Sequence, residues 1–301
     1  MHVLITGATG LIGKEIVSLC LEKGMRVNYL TTSRAKIIDN KNYKGFYWNP
    51  NTQEIDNACF EHVDAIIHLV GASVSKRWTT AHKKEMLSSR IQTTQLLLNS
   101  LKTEKHTIKQ IVSASAIGIY PNSVINFYTE DFKIKTPSSF LAQVVNEWET
   151  AVDEFSKLNI VVSKIRIGLV LSKKGGVLQK ITKPIKLGFG AAFGKGTHWQ
   201  SWIHVTDLAT IFLYVLKHNL SGVYNGVSPN PITNQDLTKA IATVLKKPLV
   251  LPNIPKFLMA LILGEMHVLL FDSQRVSSKK IENKGYSFKY NHLEPALKDL
   301  L

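Results

Sequence analysis

Apolar residues follow two rhythms along the 301-residue chain. Short uncharged runs alternate with longer stretches in which apolar positions recur every third or fourth residue. Val3-Leu4-Ile5 is the first run, and its lack of polar alternation suits a strand buried on both faces of a parallel sheet. Leu11, Ile12, Ile16, Leu19 and Cys20 then share one face of a helix. The alternation continues. Strands are predicted at 26–31, 44–48, 64–71, 109–115, 160–171 and from Gly222 into a turn at Pro229. Helices are predicted at 79–102, from Phe140 through Trp148 to Phe155, up to about His218, and from Thr233, where Thr233 and Asp236 form a capping-box-like pair. A last helix covers 293–301. Strands alternating with helices in this way predict an α/β chain with a parallel sheet.

A glycine turn joins the first strand to the first helix, reading Thr6-Gly7-Ala8-Thr9-Gly10-Leu11-Ile12-Gly13. Glycine permits a tight turn and removes Cβ atoms that would keep a diphosphate away. The free backbone N–H groups and the positive end of the helix dipole then hold the anion. Strand, glycine turn and helix in succession predict a nucleotide cofactor on Gly7, Thr9, Gly10, Leu11, Ile12 and Gly13. The fold expected is Rossmann-like, a doubly wound parallel sheet. After the second strand the chain reads Thr31-Thr32-Ser33-Arg34, with no carboxylate before Asp39. An Asp or Glu there would accept a hydrogen bond from a ribose 2′-OH and select NAD. Ser33 and Arg34 suit the extra phosphate of NADP instead. NADP(H) is therefore expected ahead of NAD(H).

Composition changes this picture little. The formal net charge is +15, carried mostly by lysines spread along the whole chain. No basic run is interleaved with aromatics, so a nucleic-acid partner is not expected. The excess suits an anionic cofactor and a small anionic substrate. Cys20 and Cys59 lack the spacing of a metal site or of a disulfide framework. The most apolar stretch, 257–271, contains Glu265 and His267 and is too short to span a bilayer. With a strand opening at residue 2, no leader is expected, nor a membrane partner, and the location expected is cytoplasmic. A homodimer is compatible with the sequence.

The Thr6-Gly7-x-x-Gly10-x-x-Gly13 turn resembles that of the short-chain dehydrogenase/reductase superfamily, in its extended, epimerase-like branch. Several further features occur together: Lys76-Arg77-Trp78, Ser89-Arg90, Ser113-Ala114-Ser115-Ala116, Trp148-Glu149, Gly175-Gly176, Trp202-Ile203-His204 and Gln274-Arg275. Across its whole length the chain resembles bacterial epimerase family proteins, atypical members of that branch with a distinctive C-terminal domain. The resemblance implies a dinucleotide-binding domain at 1–170 with 203–227, and a substrate-binding domain at 171–202 with 228–301. It implies that Leu69, Val70 and Gly71 lie under the cofactor, with Ser113 and Arg166 also near it. It places Ser115 against a substrate carbonyl or hydroxyl. Lys76, Arg77 and Arg90 become a cationic rim, and Gln200 stands where nucleotide-sugar enzymes carry a phosphate-clamping Arg. The superfamily's acid/base pair, Tyr with Lys four residues on, falls here on Phe140 and Val144, and neither can carry a proton. Tyr120 and Tyr128 are the nearby phenols, Tyr120 being the preferred substitute. His68 and Asp207 are expected to be structural. Two functions follow: an NADP(H)-dependent oxidoreductase or isomerase of unusual acid/base chemistry, or an NADP(H)-sensing regulator without turnover.

Overall fold

The computed structural model describes every residue except Lys135. Seven parallel strands make the main sheet: β1 (His2–Thr6), β2 (Arg26–Thr31), β3 (Tyr43–Asn49), β4 (Ala65–His68), β5 (Gln110–Ala116), β6 (Val161–Ile167) and β7 (Gly222–Gly226). Their order is β7-β6-β5-β4-β1-β2-β3. The short strand Asp39–Asn40 closes the β3 edge in antiparallel sense. The chain runs outward from β1 one way to β3 and the other way to β7. The direction reverses between β1 and β4, where open α/β sheets bind ligands at the carboxyl ends of their strands.

Val3, Leu4 and Ile5 are wholly buried, as an uncharged run requires. Alternate side chains enter opposite layers. Val3 and Ile5 join a core containing Ile16 of α1 (Leu11–Glu22). Leu4 faces Leu97 and Leu101 of α2 (Thr80–Thr103) on the other side. Helix α3 (Phe140–Asp153) packs along α2. Helix starts follow local chemistry. Thr79 accepts the His82 N–H at 3.2 Å and Ser139 accepts the Ala142 N–H at 3.1 Å. Each satisfies one of the amide groups a helix start leaves unpaired.

A second lobe holds α4 (Val177–Lys186) and, beyond α5 (Val205–Lys217), α6 (Asn234–Val244), α7 (Lys256–Leu263) and the C-terminal helix Leu293–Leu300. Its core collects Leu178, Ile185, Trp202, Leu237, Ile241 and Leu297. Helix α5 returns to the main sheet, where it packs against α1.

Three features differ from the sequence expectation. The run 160–171 is not one strand. It breaks at Gly168, and Leu169–Leu171 pairs in parallel with Trp202–His204. A side chain at Gly168 would collide with the Ser201 carbonyl, so the break depends on glycine. No helix is predicted in the segment after Gly175-Gly176, yet it contains α4, whose helical period is masked by Pro184 in its last turn. Residues 275–288, expected in the second lobe, come back to the first: Arg275–Val276 pairs with Phe127–Tyr128, and Ile281 and Tyr286 enter the main core. Among the described residues no helix is long and apolar enough to cross a membrane.

Candidate functional site: a glycine turn, a polar recess and a buried network

The glycine turn sits at the carboxyl end of β1, beside the reversal. Gly7 has a φ of +71°, and the Gly10 N–H donates to its carbonyl at 3.0 Å. A Cβ on Gly13 would collide with that carbonyl, so glycine is what lets α1 start close against the turn. A Cβ on Gly7 would lie 3.3 Å from Leu69 and Val70, which places the chain after β4 alongside the turn, as expected for those residues. Gly10 caps α1 without a side-chain bond, and no acidic residue lies in the first turn. The first amides of α1 are therefore uncapped donors at the positive end of a helix dipole, which suits a diphosphate. Thr9 and Gly10 are exposed, while Leu11 and Ile12 are half-buried. A Cβ on Gly176 would lie 3.3 Å from the Leu11 side chain, so the second lobe's glycine pair faces this turn.

At the end of β2, Ser33 precedes a short turn carrying Arg34. The Arg34 guanidinium lies 3.8 Å from the Tyr47 ring centre and pairs with Glu54 at 3.3 Å, both charges being exposed.

Four residues expected to serve ligands are committed elsewhere. Ser115 donates to Glu149 Oε1 at 2.6 Å. Arg166 grips the same carboxylate with two bonds, 2.8 Å from Nε and 2.9 Å from Nη2, and donates from Nη1 to the Tyr120 hydroxyl at 3.0 Å. Tyr120 donates onward to Asn225 Oδ1 at 2.9 Å. Asn225 donates to the Ser277 carbonyl at 3.0 Å. Ser113 is fully buried, and its hydroxyl bonds the Ala114 carbonyl at 2.9 Å. Ser115 and Tyr120, expected in catalysis, and Ser113 and Arg166, expected at the cofactor, thus have their polar atoms in hydrogen bonds to protein groups. The polar atoms of Ser115, Arg166 and Tyr120 belong to a network that ties β5, α3, β6 and β7 together. Burial pushes the Tyr120 hydroxyl up, which Arg166 only partly opposes. Burial works against the charge on Glu149, yet the Arg166 bonds hold its carboxyl below the usual range. Glu149 and Asn225 went unassigned in the sequence. Glu149 gives one readable sign, lying on the apolar stripe of α3 between Val145 and Val152.

A recess of about 250 Å³ opens between the lobes. Ile117, Leu141, Val144, Gly168 and Leu169 form its apolar wall. Val144, at the position of the family's Lys, is thus part of that wall. Phe140 packs edge-on against Trp78, 5.6 Å between ring centres. Arg90, Gln200, Asp272 and Gln274 supply the polar groups. Arg90 was expected on an exposed rim. It is instead 9% exposed, donating to the carbonyls of Met86 at 2.6 Å and Ala72 at 3.3 Å, with its guanidinium 5.0 Å from the Trp148 ring centre. A Cβ on Gly71 would press on this guanidinium at 2.8 Å. Burial pulls the Arg90 pKa down to about 10. Burial pushes the Asp272 carboxyl up, opposed only in part by Lys256 and His267. Lys76 and Arg77 are exposed outside the recess, and Gln200 lines it.

His68 is wholly buried between Thr6 Oγ1 at 2.8 Å and Thr94 Oγ1 at 3.1 Å, and burial lowers its pKa to about 3. Asp207 accepts the backbone N–H groups of Lys289 and Tyr290, each at 2.8 Å, and so anchors the C-terminal segment.

A seven-stranded parallel sheet in this order, with a bare glycine turn at its switch point and a second lobe facing it, defines a dinucleotide-binding protein of the Rossmann class. The model of the NAD dependent epimerase/dehydratase family matches residues 3–226, and the chain belongs to that family. Residues 254–300 match a domain of unknown function, DUF1731. An epimerase family protein of Staphylococcus epidermidis is 34% identical over 303 residues, covering 99% of this chain and 98% of its own. The crystal structure of a human epimerase family protein, SDR39U1, with NADPH superposes with a TM-score of 0.85 at 27% identity, over 100% of this chain and 99% of the human one. A nucleoside-diphosphate sugar epimerase from Corynebacterium glutamicum gives 0.79, also at 27% identity, over 100% of this chain and 58% of its own.

Proposed function

We propose that this protein binds NADP(H) on the glycine turn and passes hydride between it and a small substrate held in the recess. The observation that carries this reading is the uncapped, glycine-lined start of α1, set at the switch point of the sheet and facing the second lobe. The NADPH in the human relative's structure supports the nicotinamide nucleotide. Arg34 supports the 2′-phosphate. Its pair with Glu54 is exposed on both sides and therefore weak, so the guanidinium is free to turn to a phosphate. The buried Cys20 and Cys59 thiols and an NADP(H) cofactor support action in the cytoplasm.

A nicotinamide bound here supplies or accepts the hydride. The chain's own residues do the rest. Ile117, Val144 and Leu169 keep water from the recess. Arg90 and Gln200 present donors to a substrate oxygen, and the buried guanidinium favours one that is anionic or becomes so. Asp272 holds the proton. A carboxyl raised by burial keeps its proton closer to neutrality than an exposed one, which suits a general acid. This assignment replaces the phenol of the superfamily.

Titration with NADPH, NADP, NADH and NAD tests the cofactor. Arg34→Ala is expected to weaken NADPH about tenfold and leave NADH unchanged, the scale of one lost charge-assisted bond. Tighter NAD than NADP in the unaltered protein would overturn the phosphate assignment. Protein loaded with 4-tritiated NADPH and exposed to metabolite pools tests transfer. A second reading is favoured by the apolar Phe140 and Val144 and by the commitment of Ser115 and Tyr120: an NADP(H) sensor. Label that stays on the cofactor across broad pools would select it.

A further inference from the structure

The recess does not end at Asp272. Val74, Leu169 and Leu269 line both it and a second, larger chamber of about 410 Å³. Val177, Ile181 and Pro184 of α4 form one wall of the chamber, and Leu263, Met266 and Leu270 form the facing one. The first three recur at helical spacing on a half-buried face of α4, distinct from the Leu178 and Thr182 face turned into the core. The facing wall belongs to an arm, Lys256 to Phe271, in which no residue is fully buried. Its inner apolar side chains are therefore half-covered, an arrangement that leaves contact area for an apolar occupant.

The polar residues around the chamber are few, and most of their polar atoms are bonded within the protein. Asn234 Oδ1 accepts the Phe193 N–H at 2.8 Å, and Thr238 donates to the Asn234 carbonyl at 2.8 Å. Ser75 bonds Ser73 at 3.2 Å. Lys180 is the one charged residue lining it among the described residues. A sugar or a diphosphate placed there would exchange most of its water for carbon and find few partners besides Lys180, whereas a hydrocarbon would lose nothing. The polar end of the cleft, with Arg90, Gln200 and Gln274, lies in the adjoining recess.

We propose that the substrate is amphipathic, a hydrocarbon chain bearing a carbonyl or carboxylate head, with the chain in the chamber and the head in the recess. The position of the head beside the nicotinamide rests on the function proposed above. The fit of the chain to the chamber does not.

The test is a homologous series of straight-chain carboxylates, hexanoate to decanoate, titrated into the protein with and without NADPH. Trp199, which lines the recess, reports binding through its fluorescence. Affinity is expected to rise about fourfold per methylene until the chamber is filled, and UDP-glucose is expected not to compete. Ile181→Trp, which fills the chamber, and Met266→Asp, which charges it, are each expected to abolish the dependence on chain length while leaving NADPH affinity intact. Affinity independent of chain length, tighter binding of UDP-glucose than of decanoate, or a length dependence that survives both variants would overturn the proposal. The last result would mark adsorption to the exposed side of the arm. A protein that shows the length dependence but does not bind NADPH would sink the proposed function and leave this inference standing.

Discussion

Asp272 and Arg90 share a recess but carry opposite charge, and the two roles assigned to them separate by pH. Asp272 must be protonated to donate. With its pKa raised by burial, reduction should proceed at low pH and fall as pH rises through that value. Lys256 and His267 act on the same carboxyl in the opposite sense, and Arg90 faces the recess from α2. Asp272→Asn is expected to lower kcat on a substrate found by label transfer by about a hundredfold. It should also remove the high-pH fall and leave NADPH affinity unchanged. An Asn variant that keeps the wild-type pH profile would show that another group holds the proton. Nothing in the residue pattern marks Asp272, since a carboxylate after an apolar arm has no periodic signature. Ser115 and Tyr120 present the opposite case. Their places along the chain were readable, but their partners were not, because Glu149 and Asn225 reach them only through the packing of α3 and β7.

At the scale of elements, that network is what fixes α3 on β5 and β6. Glu149→Gln would leave Arg166 buried at 6% exposure without a countercharge. Breaking one side of a buried pair costs about 3–5 kcal/mol. At roughly 2–4 °C of Tm per kcal/mol for a chain of this size or somewhat smaller, the melting temperature should fall by about ten degrees. NADPH affinity at the glycine turn, to which this network makes no bond, should change little. A melting temperature within about a degree of wild type would mean the pair contributes nothing net. Elements with strong local chemistry were readable in advance. The glycine turn set the end of β1 and the start of α1. Thr233 announced α6, accepting the Asp236 N–H at 3.2 Å and donating to its carboxylate at 2.6 Å. Helix α4 was not readable, because proline and flanking glycines imitate a loop.

For the whole molecule, the alternation of strand and helix was enough to read the sheet, since right-handed parallel crossovers leave few orders open. The return of residues 275–288 to the first lobe was not, because a two-residue strand pairing with Phe127–Tyr128 is set by distant contacts alone. The sheet also carries a buried histidine at its centre, and that makes the stability of the entire fold depend on pH. His68 has a folded pKa of about 3 against 6.5 for the free side chain. A lowered pKa contributes stability that is complete above 6.5 and is lost progressively as pH falls toward 3. The loss is about 1.4 kcal/mol per pH unit within that window. His198 and His204 are also lowered by burial and add losses of the same sign, while Glu149 adds its own only below the ordinary carboxylate range. His68→Gln cannot take up this proton. The variant should be less stable than wild type at neutral pH, since it disturbs the Thr6 and Thr94 bonds, but the gap should narrow by about 1.4 kcal/mol for each unit of acidification below 6.5. Urea midpoints for both proteins between neutral pH and about pH 5 measure that gap. If it stays constant across the range, His68 does not set the acid limit of the fold.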